Sequence, residues 1–135
     1  MYKKILLAVD GSEHSIRAAN HAIQLASLVK DATVEVICVL DFSKAKTEVL
    51  HKELKAERAR KLKEVEEALR QANISYEIKM EHGEPGPTIV TRANEHQFDI
   101  VIVGSRGLNS LQEMVLGSVS HKVAKRVNSP VLIVK

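Results

Sequence analysis

The sequence predicts an α/β fold: an open five-stranded parallel sheet with helices on both faces. Three observations predict it. The apolar runs Ile5–Val9 and Ile100–Val103 are short and continuous, as in strands buried on both faces, and Val34–Leu40, apolar but for Glu35, and Val131–Val134 read as further strands. Amphipathic segments of helical period alternate with them, which favours a parallel sheet covered on each side. Glycines cluster after the fourth strand, where such sheets carry their ligand loops.

In chain order, the first strand Ile5–Val9 ends in the turn Asp10-Gly11-Ser12, where Ser12 is a ready N-cap. A helix to about Val29 follows, with Ile16, Ala19, Ile23 and Ala26 inward. The second strand, Val34–Leu40, ends at Asp41. A long polar helix from about Ala45 to Ala72 is expected to bury Leu50, Leu54, Leu62, Val65 and Leu69. Ser75–Glu81 alternates in polarity, as in a strand near a sheet edge. The run Gly83-Glu84-Pro85-Gly86-Pro87 breaks the chain before a short helix through Ile89, Val90 and Ala93. The fourth strand leads through the glycine loop into a helix carrying Val119, Val123 and Val127. Asn128-Ser129-Pro130 stops that helix, and Val131–Val134 is the last strand. With no linker or repeat, residues 1–135 read as one domain.

The loop holds Gly104, Gly107 and Gly117, separated by two and then nine residues. Glycine lets bare backbone N–H groups approach an anion, and a helix start adds unpaired donors and a positive dipole end. Ser118 and Ser120 can add hydroxyls and Arg106 a charged fork. Turn formation alone, with Ser118 as an ordinary cap, is the competing reading. The spacing matches neither G-x-x-x-x-G-K-[ST] nor G-x-G-x-x-G. If the first and fourth strands are central neighbours, Asp10 faces the same crevice as Gly104. It would then serve a ribose hydroxyl or a hydrated cation, or simply cap the first helix.

Composition narrows the function classes. Hydrophobic residues are 44%, charged residues 27%, and the net charge is only +3, so a nucleic-acid partner is not expected. Lacking Trp, with two Tyr and two Phe, the chain has few residues for stacking on bases. The charges of Lys52–Arg70 interleave as on a solvated helix face. The lone Cys38 reads as a small buried hydrophobe. Neither a leader nor a membrane-length apolar run is seen, so a soluble cytoplasmic protein is expected.

The motif G-x2-G-x9-G-[ST], filled by Gly104, Gly107, Gly117 and Ser118, resembles the nucleotide-binding branch of the universal stress protein family. Ile5-Leu6-Leu7-Ala8-Val9-Asp10-Gly11-Ser12, Gly83-Glu84-Pro85 and the closing Asn128–Val134 are similar to other segments of that family. The resemblance covers the whole chain. It implies a Rossmann-like sheet of order 3-2-1-4-5, similar to adenine nucleotide alpha hydrolases, that binds ATP (or ADP or AMP) without a Walker loop. Gly104, Arg106, Gly107, Gly117, Ser118 and Ser120 would contact phosphates or ribose, with Val103 and Val119 in the same site. Asp10 would lie near the ribose, Val39 at the adenine edge, and Ala8 and Val9 along the pocket. Mg²⁺ would be held mainly by the phosphates, with Asp10 assisting through water. The short connection Asp41-Phe42-Ser43-Lys44 departs from the family by leaving little room for a covering flap.

A phosphate cradle is not a catalyst. Glu113 is the loop's sole carboxylate, His121 lies one turn into the helix, and His14 and His21 without a carboxylate make a poor metal site. Three readings follow: a nucleotide-dependent regulatory protein, an enzyme with slow ATP hydrolysis or autophosphorylation at Ser118 or Ser120, and an interaction dimer that ignores nucleotide. The edge strand Val131–Val134 is expected to pair two copies across a two-fold axis, as the resemblance also implies. A regulatory protein partner would then read the nucleotide state.

Overall fold

The computed structural model describes residues 1–107 and 116–135. Glu113 and the rest of 108–115 lie outside the described residues. Five parallel strands, β1 (Lys4–Ala8), β2 (Thr33–Leu40), β3 (Ser75–His82), β4 (Ile100–Gly104) and β5 (Val131–Val134), pair in the order β3-β2-β1-β4-β5. The helices are α1 (Glu13–Ser27), α2 (Glu48–Gln71), α3 (Pro85–Glu95) and α4 (Ser118–Arg126). The expected topology is the observed one.

Strand periodicity divides the apolar side chains into two cores. Ile5, Leu7, Val9, Val34, Val36, Ile100 and Ile102 face α1 and α2. Leu6, Ala8, Ile37, Val39, Val101 and Val103 face α3 and α4 with Ile89, Ala93, Val123 and Val127. The central strands β1 and β4 therefore show continuous apolar runs, and β2 does so apart from Glu35. The edge strand β3 alternates, because only Tyr76, Ile78 and Met80 meet a helical layer.

Helix boundaries follow local chemistry. Ser12 caps α1 by accepting from the Ser15 N–H at 3.2 Å, and Thr47 caps α2 by accepting from Leu50 at the same distance. Pro85 opens α3, where no intrahelical donor is needed. Asp31 and Asn73 take left-handed backbone (φ 62° and 58°) on leaving α1 and α2.

Two expectations are corrected. The buried face of α1 is Ser15, Ala18, Ala19, Ala22 and Ala26, while Ile16 and Ile23 pack at its flank. Small side chains let the helix lie close on the sheet. On α2 only Leu62, Val65 and Leu69 are buried; Leu54 is half-buried and Leu50 is 44% exposed. A 24-residue helix is about 36 Å long, longer than the strands it crosses. Its amino-terminal half projects past the carboxyl ends of the strands.

Glu35 interrupts the apolar run of β2 yet is only 8% exposed. Arg92 of α3 grips it with two hydrogen bonds, Nε to Oε2 at 2.7 Å and Nη2 to Oε1 at 2.5 Å. Burial of that carboxylate is tolerable because the fork satisfies both oxygens.

Candidate functional site

A cavity of about 770 Å³ opens at the carboxyl ends of β1, β2 and β4. It lies where the strand order reverses between β1 and β4, the expected ligand crevice of an open α/β sheet. Ala8, Val9, Asp10, Val39, Val103, Gly104, Arg106, Gly107, Gly117, Ser118, Val119 and Ser120 all line it. Residues up to 112 positions apart thus converge on one concavity, although several do so for reasons other than those expected.

Gly104 has a packing reason to lack a side chain, set by α1. A Cβ there would stand 2.8 Å from the His14 carbonyl carbon and 3.0 Å from the Ser15 nitrogen. Gly107 is needed nearer the crevice, since its Cβ would fall 2.6 Å from Asp10 Oδ2. Both readings of Asp10 meet in one conformation: Oδ1 accepts the Ser12 N–H at 2.9 Å, while Oδ2 borders Gly107. The carboxylate is oriented by the first turn and presented to the loop.

The start of α4 is fastened through one carbonyl. Ser105 O accepts the Gly117 N–H at 2.7 Å and the Ser120 hydroxyl at 2.7 Å, while Ser105 N–H donates to Val134 O at 2.7 Å. Gly117 is the N-cap but is not an open donor, and Ser120 commits its hydroxyl proton to Ser105. The N–H groups of Ser118, Val119 and Ser120 form the first turn and have no acceptor among the described residues. The Ser118 side chain is exposed. Among the described residues the open donors at this helix start are thus three consecutive amides rather than those of the glycines.

Other walls were not evident from the sequence. The connection after β2 folds into a short 3₁₀ turn, Phe42–Lys44, and Asp41, Ser43 and Ala45 line the crevice. Phe42 stacks on His51 at 4.4 Å and meets His82 edge-on at 5.0 Å, and His51 Nε2 is hydrogen-bonded to Ala45 O. The projecting half of α2 adds Leu50, Glu53, Leu54, Glu57 and Arg58, and Ile37, Pro85 and Ile89 complete the apolar side. The connection is short, as expected, and α2 walls the crevice beside it.

Arg58 corrects the reading of Lys52–Arg70 as a wholly solvated face: it is half-buried and donates from Nη1 to the main-chain carbonyl of Asp10. A signal was available, because Leu50, Leu54, Arg58 and Leu62 fall at i, i+4 steps on one stripe. His121 is exposed and off the lining, and His14 touches Gly104 from the α1 side. No group of three or more His, Cys, Asp or Glu that could hold a metal ion exists among the described residues. Burial pushes the Cys38 thiol up to about 11, with Arg58 partly opposing and Asp10 adding to the shift. No helix of the described residues is long and apolar enough to cross a membrane.

Fold and crevice define a doubly wound α/β protein with a concave site at the strand-order switch and no Walker motif in its sequence. Comparison with known proteins gives the family. The universal stress protein family model matches residues 1–135, and the chain belongs to that family. It is 34% identical to the universal stress protein MJ0531 of Methanocaldococcus jannaschii over 142 residues, covering 100% of this chain and 83% of that relative. The solved structure of MJ0577, a universal stress protein of the same organism, superposes with a TM-score of 0.90 at 34% identity, covering 100% of this chain and 96% of the other. A universal stress protein solved in complex with cAMP gives a TM-score of 0.73 at 27% identity, covering 99% and 97%.

Proposed function

We propose that this chain is a cytoplasmic regulatory protein that binds an adenine nucleotide, ATP foremost, in the crevice between β1 and β4. The observation that carries the reading is the turn Ser118-Val119-Ser120, whose three amides lack acceptors among the described residues and line a cavity of nucleotide size. The relative solved with cAMP supports the ligand class.

In this reading the base lies against Ile37, Val39 and Ile89, and Asp10 receives a ribose hydroxyl. Arg106, Gly107 and the α4 amides take the phosphates. Mg²⁺ fits as a cation held by phosphate oxygens and water, with Asp10 as an outer partner. Bound nucleotide would bias the protein between conformations that a partner distinguishes. The edge strand β5, with Leu132 36% exposed, joins two copies into a homodimer.

Heat denaturation of freshly purified protein, followed by chromatography of the supernatant, tests the ligand. Released adenine nucleotide supports the reading; an empty protein that shows no thermal shift with millimolar ATP contradicts it. Light scattering at tens of micromolar tests the dimer. Slow phosphoryl transfer would fall on Ser118 rather than Ser120, because only Ser118 has an exposed side chain. Labelled ATP leaving no phosphate on the protein above blank would remove that possibility.

A further inference from the structure

The crevice contains a cation that the glycine loop does not supply. Among the described lining residues, Asp10, Asp41, Glu53 and Glu57 bring carboxylates, against the guanidinium groups of Arg58 and Arg106. A polyphosphate entering such a site needs more positive charge than one arginine and a helix dipole can give. Arg58 stands on α2 at the turn after β1. Its Nη1 lies 3.6 Å from the point where a Cβ on Gly11 would sit, and it holds the Asp10 carbonyl. On the other side of Asp10, Oδ2 borders Gly107 of the phosphate loop. The Nε atom of Arg58 is buried with no hydrogen-bond partner among the described residues. Such a donor is costly to leave unmade, and an oxyanion is the acceptor that suits it best. Within this same protein Arg92 shows the chemistry, closing its Nε and Nη2 edge on the two oxygens of Glu35.

We propose that Arg58 is a ligand-contacting residue which offers its Nε edge to the polyphosphate and thereby ties α2 to occupancy of the site. This rests on the nucleotide reading above and extends it to regulation. Residues 48–61 of α2 include no buried side chain, and the contacts of His51 with Phe42 and Ala45 hold only its first turn. A phosphate gripped by Arg58 would anchor it, converting binding into a change on the surface of α2.

Calorimetry of ATP and adenosine binding to wild type, R58Q and R58K tests the proposal, alongside hydrogen exchange of residues 48–61. In wild type, ATP binding should slow exchange there. R58Q should lose roughly ten- to hundredfold in ATP affinity, keep adenosine affinity within about threefold, and lose the ATP-dependent protection. R58K, retaining charge without the fork, should fall between. Unchanged ATP affinity in R58Q, or equal weakening of ATP and adenosine with a lowered melting temperature, would overturn the proposal while leaving nucleotide binding intact. Failure of wild type to bind ATP would remove both.

Discussion

Gly104 packs against the first turn of α1, so a methyl group added there meets backbone rather than a pliable side chain. Gly104→Ala should destabilise the fold by about 1–3 kcal/mol, because overpacking at a fixed helix–strand contact forces the backbone apart. Chemical denaturation measures this, and a loss below 0.5 kcal/mol, roughly that of an ordinary surface change, would refute the placement. Among the described residues Gly107→Ala meets the Asp10 carboxylate, a side chain rather than backbone. It should cost less stability than Gly104→Ala but weaken ATP binding, a contrast visible when the two variants are compared by denaturation and calorimetry. Cys38 supplies a prediction in pH. Its folded value of about 11 lies above the ordinary 9.0, so the unfolded chain ionises first as pH rises. Its stabilising contribution is complete below pH 9 and is lost between pH 9 and 11, by up to about 3 kcal/mol at 1.36 kcal/mol per unit. The stability gap between wild type and Cys38→Ala should therefore narrow over that window; a pH-independent gap would contradict the burial argument.

Residues of this kind were only partly legible beforehand. Cys38 within an apolar run reads as buried from its neighbours alone. Gly104 reads as special, but whether its missing side chain serves a ligand or a helix depends on what the fold brings against it. Arg58 and Glu35 resist sequence reading because their partners, the Asp10 carbonyl and Arg92, lie 48 and 57 positions away.

Among elements, α2 departs most from expectation. Its 3.6-residue pattern identifies a helix and a face, but periodicity carries no information about where the sheet beneath it ends. Leu50 and Leu54 continue the stripe of Leu62, Val65 and Leu69, yet they meet the crevice instead of a strand. Without ligand, amides of residues 52–61 should exchange faster than those of 62–69, because local opening there breaks few buried contacts. Uniform exchange along the helix would contradict this. The strands were legible for the opposite reason. Burial on two faces leaves continuous apolar runs in β1 and β4 and a run broken only by Glu35 in β2, and one uncovered face makes β3 alternate. At α4 the sequence located the helix start, but not which donors it leaves open. The tie from Gly117 to Ser105 shifts the open amides one residue onward.

For the molecule as a whole, the strand order places the ends of β1 and β4 side by side, and that adjacency brings Asp10 against Gly107 and α4. Membership of the universal stress protein family accords with this arrangement. In the proposed function the first-turn amides of α4 hold the ATP phosphates. Amide chemical shifts of the ¹⁵N-labelled protein, followed through an ATP titration, test it most directly. Ser118, Val119 and Ser120 should show large, saturable shifts, accompanied by Gly107. Saturable shifts confined to other parts of the protein, with those three amides unmoved, would contradict it.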